Sequence, residues 1–132
     1  MQLLQNPRRN LSRPVGMHRL RIKRVYDVPA TTDGTRVLVD RLWPRGLRKE
    51  QARIDHWIKD IAPSNELRKW YGHDDSRWEE FKRRYFDELI ALDELVTQLR
   101  ALINEHTVTL LYSARSVTHN NAVALADFLR EK

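Results

Sequence analysis

Three short stretches of the chain gather the residue types that do chemistry. Tyr26 and Asp27 form the first. Asp40, Arg41, Trp43, Pro44, Arg45 and Gly46 form the second. Tyr112, Ser113 and Arg115 form the third, followed closely by His119 and Asn120. Arginine forks and the free N–H groups of a helix start suit a phosphate or a carboxylate. An aromatic ring beside them suits a planar group such as a nucleobase. His119 is the acid/base candidate, and Tyr112 has a phenol O–H to donate. Tyr26, Asp40, Arg41, Trp43, Arg45 and Asn120 are the ligand-binding candidates.

Each of these residues also has a plainer use. Arg41 and Arg45 can pair with Asp40, Asp27 or Glu66, the commoner fate of arginine. Trp43, Trp57, Trp70 and Trp78 fit a core, although Trp43 is wedged in a Pro-containing loop. His119 can simply cap a helix. No nucleophile is identifiable, because the chain has no cysteine and Ser113 lacks a GxSxG context. The five histidines show neither HExxH nor any paired spacing, so no metal is expected. His73, Asp74 and Asp75 read as a solvated helix end. Four scattered glycines exclude a glycine-rich phosphate loop, and no cofactor is expected.

The elements that must position these residues follow from periodicity. Residues 20–26 alternate as a half-buried strand, and 36–41 and 108–112 are continuous apolar runs, as strands buried on both faces are. Asp33 and Gly34 supply a turn. Residues 52–61 look helical. Ser64 reads as an N-cap whose helix stops at Gly72, and Ser76 as the cap of a helix with Trp78, Phe81, Tyr85 and Leu89 on one face. Asp93 caps a further helix with the stripe Val96, Leu99, and Leu102 or Ile103. Thr118 caps a last one burying Ala122, Val123, Ala126 and Leu129. Apolar strands separated by helices predict an α/β fold: a small, mainly parallel central sheet with helices on both faces, a three-layer sandwich. An α+β fold with an N-terminal hairpin is the alternative. In a parallel sheet the three chemical stretches converge at the carboxyl ends of the strands, where ligands bind. The guanidinium groups of Arg41 and Arg45 are then expected within reach of residues 118–120.

Length and charge bound the rest. The 132 residues make one domain, and 41% apolar residues with four Trp, four Tyr and three Phe are enough for a core. The net charge of +6 is an end effect: residues 1–26 carry seven bases and no acid, leaving 17 bases against 18 acids in the remainder. Residues 1–16 show no period, contain two prolines and a glycine, and lack the apolar core of a secretory signal. They read as a basic leader, weakly ordered, ahead of a single domain over 17–132. No apolar run approaches the roughly 20 residues of a membrane span.

The strings KRVYD (23–27), RVLVDRLWPRGL (36–47), IAPSNELRKWYGHD (61–74), WEEFKRRY (78–85) and TLLYSAR with HNNAV (109–123) together resemble the YeaO-like family of small bacterial proteins. The resemblance covers residues 19–130 and implies a compact cytoplasmic α/β domain with no particular reaction. Its motif positions fall here on Tyr26, Asp40, Arg41, Trp43, Pro44, Arg45, Trp70, His73, Tyr112, His119 and Asn120, largely the rim already picked out. Tyr71 stands where the family pattern has Phe. The reading that follows is a domain that binds a small phosphate- or nucleotide-like anion. A homodimer through the aromatic-rich helices, or nucleic-acid binding through the basic N-terminal segment, are the alternatives.

Overall fold

The computed structural model describes residues 19–131, so the expectation for residues 1–16 lies outside the described residues. Four strands form one sheet in the order β1-β4-β2-β3, and every pairing is parallel. They are β1 (Leu20–Arg24), β2 (Thr35–Leu38), β3 (His56–Trp57) and β4 (Val108–Tyr112). The two continuous apolar runs are neighbours at the centre, with Val37 opposite Leu110 and Leu38 opposite Leu111. An N-terminal hairpin does not form: β1 pairs with β4, Leu20 opposite Val108.

The two faces of the sheet are covered unequally. One face presents Leu20, Val37, Val39, Val108, Leu110 and Tyr112 to the larger core. It is packed by α2 (Asn65–Tyr71), α3 (Trp78–Ala91), α4 (Asp93–Glu105) and α5 (Asn121–Arg130). The expected stripe of α3 is buried as a unit, with Trp78, Phe81, Tyr85 and Leu89 all below a tenth exposed. Each such side chain contributes roughly 1.5–3 kcal/mol by leaving water. Tyr85 is fully buried and donates its hydroxyl to the Ile61 carbonyl at 2.6 Å, and burial pushes its pKa far up.

The other face has a small cluster of Val25, Leu38 and Leu111 under Trp43, Leu47 and Ile54. It also holds a buried ion pair. Arg36 binds Asp33 at 2.5 Å, and its other donors reach the carbonyls of Ala52 and Arg53 at the end of α1 (Lys49–Ala52). Burial raises the Asp33 carboxyl, but bonds from the Ala30 N–H, Lys23 and Arg36 outweigh it and hold the pKa below the usual carboxylate value. Gly34, φ 66°, follows in the expected turn; a Cβ there would run into the Thr107 carbonyl.

Sequence periodicity misreads one element and misplaces the starts of three others. Residues 52–61 are not a helix. Arg53 at φ 50° stops α1 after one turn, and the chain then runs extended along the edge of β2, with Asp55 N–H donating to Arg36 and Ile58 N–H to Leu38. Ser64 is the expected N-cap, accepting from the Leu67 N–H at 3.1 Å, and Gly72 closes α2 in the left-handed region. Ser76, by contrast, lies within the 3₁₀ turn Asp75–Arg77 that leads into α3, capped by the Asp74 carboxylate. Asp93 is the first residue of α4 rather than its cap. The last helix starts after Asn120, not Thr118: the Asn120 side chain accepts from the Val123 N–H at 2.9 Å, and His119 sits in the loop before it. No helix among the described residues is long and apolar enough to cross a membrane.

Candidate functional site

Chain segments leaving the carboxyl ends of β2 and β4 diverge around a cleft of about 970 Å³. Asp40 and Ser113 lie at its base, just past the two strands. One wall is the run from Arg41 to Arg45 and the opposite wall is formed by Arg115, Ser116, His119, Asn120 and Asn121. A third side, from Ala62 and Pro63 through Arg68 and Tyr71 of α2 to His73 and Asp75, completes it.

Asp40 ties three elements together. Its carboxylate accepts the Ser113 N–H at 3.0 Å, the Ser113 hydroxyl at 2.6 Å and the Asn121 amide at 3.0 Å. Asn121 is fixed in turn by donating to the Val39 carbonyl. The Asp40 carbonyl accepts the Trp57 indole N–H at 2.7 Å, which explains why Trp57 lies on the surface, 40% exposed, rather than in the core.

The arginines are used in different ways. Arg41 does not reach the start of α5. Its guanidinium turns to the buried carbonyls of Ala62 at 2.9 Å and Pro63 at 3.3 Å, with Asp60 at 3.9 Å, because the 3₁₀ turn Lys59–Ile61 ends there with acceptors to satisfy. Arg45, Arg68 and Arg115 are exposed cleft residues, and none has a carboxylate within 4 Å among the described residues. Arg68 donates once, to Asn65. Neither Asp40 nor Asp27 pairs with Arg41 or Arg45.

His119 is held edge-on to Trp78, ring centroids 4.7 Å apart, with Nδ1 3.1 Å from the Thr118 hydroxyl and 3.9 Å from Asp75. Tyr71 reaches toward Asp75 at 3.5 Å, and burial, with help from that carboxylate, raises its pKa. His73 adopts φ 60°, a left-handed backbone that follows directly on Gly72.

Six of the sequence-stated candidates line the cleft: Asp40, Arg41, Trp43, Arg45, His119 and Asn120. Asn120 is spent as the cap of α5, and the Trp43 indole N–H donates to the Leu47 carbonyl. Two candidates fall outside. Tyr112 is 3% exposed and its side chain joins the larger core; burial raises its pKa, Asp27 adds to that, and Arg24 opposes it. Tyr26 packs under Arg24 and donates to the Arg45 carbonyl, bracing the loop from outside. The residues missed are Arg68 and Asp75, which come from α2 and the turn after it and follow no strand. Among the described residues no group of three His, Cys, Asp or Glu side chains converges as a metal site would.

The comparisons agree on a kinship. The chain is 45% identical to the uncharacterized protein Rv3073c of Mycobacterium tuberculosis over 111 residues, 84% of this chain and 93% of that protein. It is 42% identical to the uncharacterized protein YeaO of Escherichia coli K12, again over 111 residues, covering 84% and 96%. No solved structure matches. Residues 19–132 fit a family described as the inactive DUF488-N3 subclade, and the chain belongs to that YeaO-like family.

Proposed function

We propose that the cleft binds a small anionic ligand, phosphate- or nucleotide-like, and holds it without turning it over. One observation carries this reading: Arg45, Arg68 and Arg115 face a single cleft, and none has a carboxylate partner there among the described residues. Exposed arginines usually find a counter-charge on their own surface; three that converge without one leave room for an anion, which a planar guanidinium binds through two parallel hydrogen bonds. The start of α5 borders the same space and adds a favourable dipole. Trp43, Tyr71 and Phe81 supply apolar wall for an organic part, and the volume suits a molecule of nucleotide size. Binding without turnover is supported by the family description as inactive and by the committed hydroxyls: Ser113 donates to Asp40, and Ser116 accepts from His119 and Thr118.

The test is a thermal-shift screen of inorganic phosphate, sugar phosphates and nucleotides at low salt. A ligand present at about 100 times its Kd should stabilise the fold by about 2.7 kcal/mol. Arg45→Ala should remove that shift and leave the unliganded melting temperature unchanged. An absence of response to every anion would end this reading.

A further inference from the structure

We propose that the cleft selects phosphate esters that also carry a hydrogen-bond donor, a sugar hydroxyl or a base N–H, and that Asp40 is the residue that selects them. The inference rests on the anion-binding reading and narrows it. A carboxylate at the base of an arginine-lined cleft repels a bare anion, so its presence there is itself informative. Asp40 has no cationic partner within 4 Å among the described residues. All three bonds to its carboxylate come from neutral donors, so no counter-charge sits against it. A carboxylate offers about four acceptor positions. Two on Oδ2 are taken by Ser113 and one on Oδ1 by Asn121, which leaves one on Oδ1 uncommitted among the described residues.

That remaining position is also preorganised. Asn121 cannot swing away, because the same amide nitrogen donates to the Val39 carbonyl at 3.0 Å. Ser113 and Asp40 are set by adjacent parallel strands, and Val39 N–H donates to Leu111 just before the two chains part. A charge fixed in this way strengthens the bond of an incoming donor and discriminates against ligands without one, since its own desolvation is then left uncompensated. Asp75, the other cleft carboxylate, is three-quarters exposed and lacks this fixity.

The same carboxylate also joins β2, β4 and α5, so the test changes the ligand as well as the protein. Calorimetric titration of the full chain compares inorganic phosphate, phenyl phosphate (a ring with no added donor), ribose 5-phosphate and adenosine monophosphate. Ribose 5-phosphate or the nucleotide should bind at least tenfold tighter than phenyl phosphate. Ribose 5-phosphate matching the nucleotide would assign the donor to the sugar; a gain seen with the nucleotide alone would assign it to the base. Asp40→Asn should reduce the preference to less than threefold while inorganic phosphate binds as well or better. If that variant does not fold, the side-chain amide resonances of Asn121, which report on Asp40, should move with ribose 5-phosphate or the nucleotide and not with phenyl phosphate. Equal binding of all the esters, or an unchanged preference in Asp40→Asn, or an unmoved Asn121 amide overturns the inference and leaves the anion site standing. Failure of every probe to bind overturns both.

Discussion

Arg41 and Arg45 stand four residues apart in one loop and have opposite fates. Arg41 is consumed by the fold: its guanidinium satisfies the carbonyls of Ala62 and Pro63, which are buried and have no other donor among the described residues. Leaving buried carbonyls without donors costs on the order of 1–3 kcal/mol. Arg41→Ala should therefore lower the denaturation midpoint by about that much, whereas Arg45→Ala and Arg115→Ala should leave it unchanged and act only on anion binding. A matched set of urea unfolding curves checks this, and equal losses for all three would show the cleft arginines to be structural. Tyr85 makes the same point inside the core. Tyr85→Phe keeps the ring and removes the only side-chain donor to the Ile61 carbonyl among the described residues, so a loss of about 1–2 kcal/mol is expected in the same assay.

Among the elements, α2 is short and depends on its ends. Ser64 accepts from Leu67, donates to Glu88 of α3 at 2.7 Å, and gives its own N–H to the same carboxylate at 2.9 Å. Ser64→Ala removes both a cap and a tie between helices, and a loss of about 1–2 kcal/mol should appear in thermal unfolding. Arg68 of the cleft rides on this helix, so the variant should also weaken anion binding. This cap was legible in the sequence because the Ser–x–x–Leu spacing and the closing Gly72 depend only on neighbours along the chain. The central strands were legible as well: residues 37–39 within 36–41, and 108–112, lack apolar–polar alternation, which only a doubly covered strand tolerates. What escaped was set by tertiary contact. Residues 54–58 have too little apolar pattern to declare a strand and extend because the edge of β2 offers Arg36 and Leu38 as partners. The start of α5 was read two residues too early because Thr118 and Asn120 are both good caps, and only the position of Asn120 under Val123 decides between them. Two cleft walls following strand ends were found from topology; the third, with Arg68 and Asp75, was invisible until α2 folded back.

At the scale of the whole molecule, the buried Asp33–Arg36–Lys23 group fastens the thinly covered face of the sheet. It joins β1, the Gly34 turn, β2 and the end of α1, and Thr109 of β4 adds a bond to the Asp33 carbonyl at 2.7 Å. Because the folded pKa of Asp33 lies below its unfolded value, the unfolded chain binds the proton more readily. Stability from this group is then present in full above the ordinary carboxylate range and is lost as pH falls through the folded pKa, a window beginning near pH 4. Asp33→Asn leaves Arg36 buried without its counter-charge, so at neutral pH the variant should be less stable by about 3–5 kcal/mol. As pH falls, the native protein loses this advantage and the two stability curves should converge. Glu80 titrates in the same region, held at about 2 by hydrogen bonds from Arg83 and Arg84, but it is exposed and its pairing is screened by salt. Measuring both proteins from pH 7 to 2.5 in about 0.5 M salt, where the Debye length has shrunk to roughly 4 Å, therefore isolates the buried group. Parallel curves over that range would show that Asp33 carries no folding-linked titration; convergence below pH 4 would identify it as the acid-sensitive fastening of the fold.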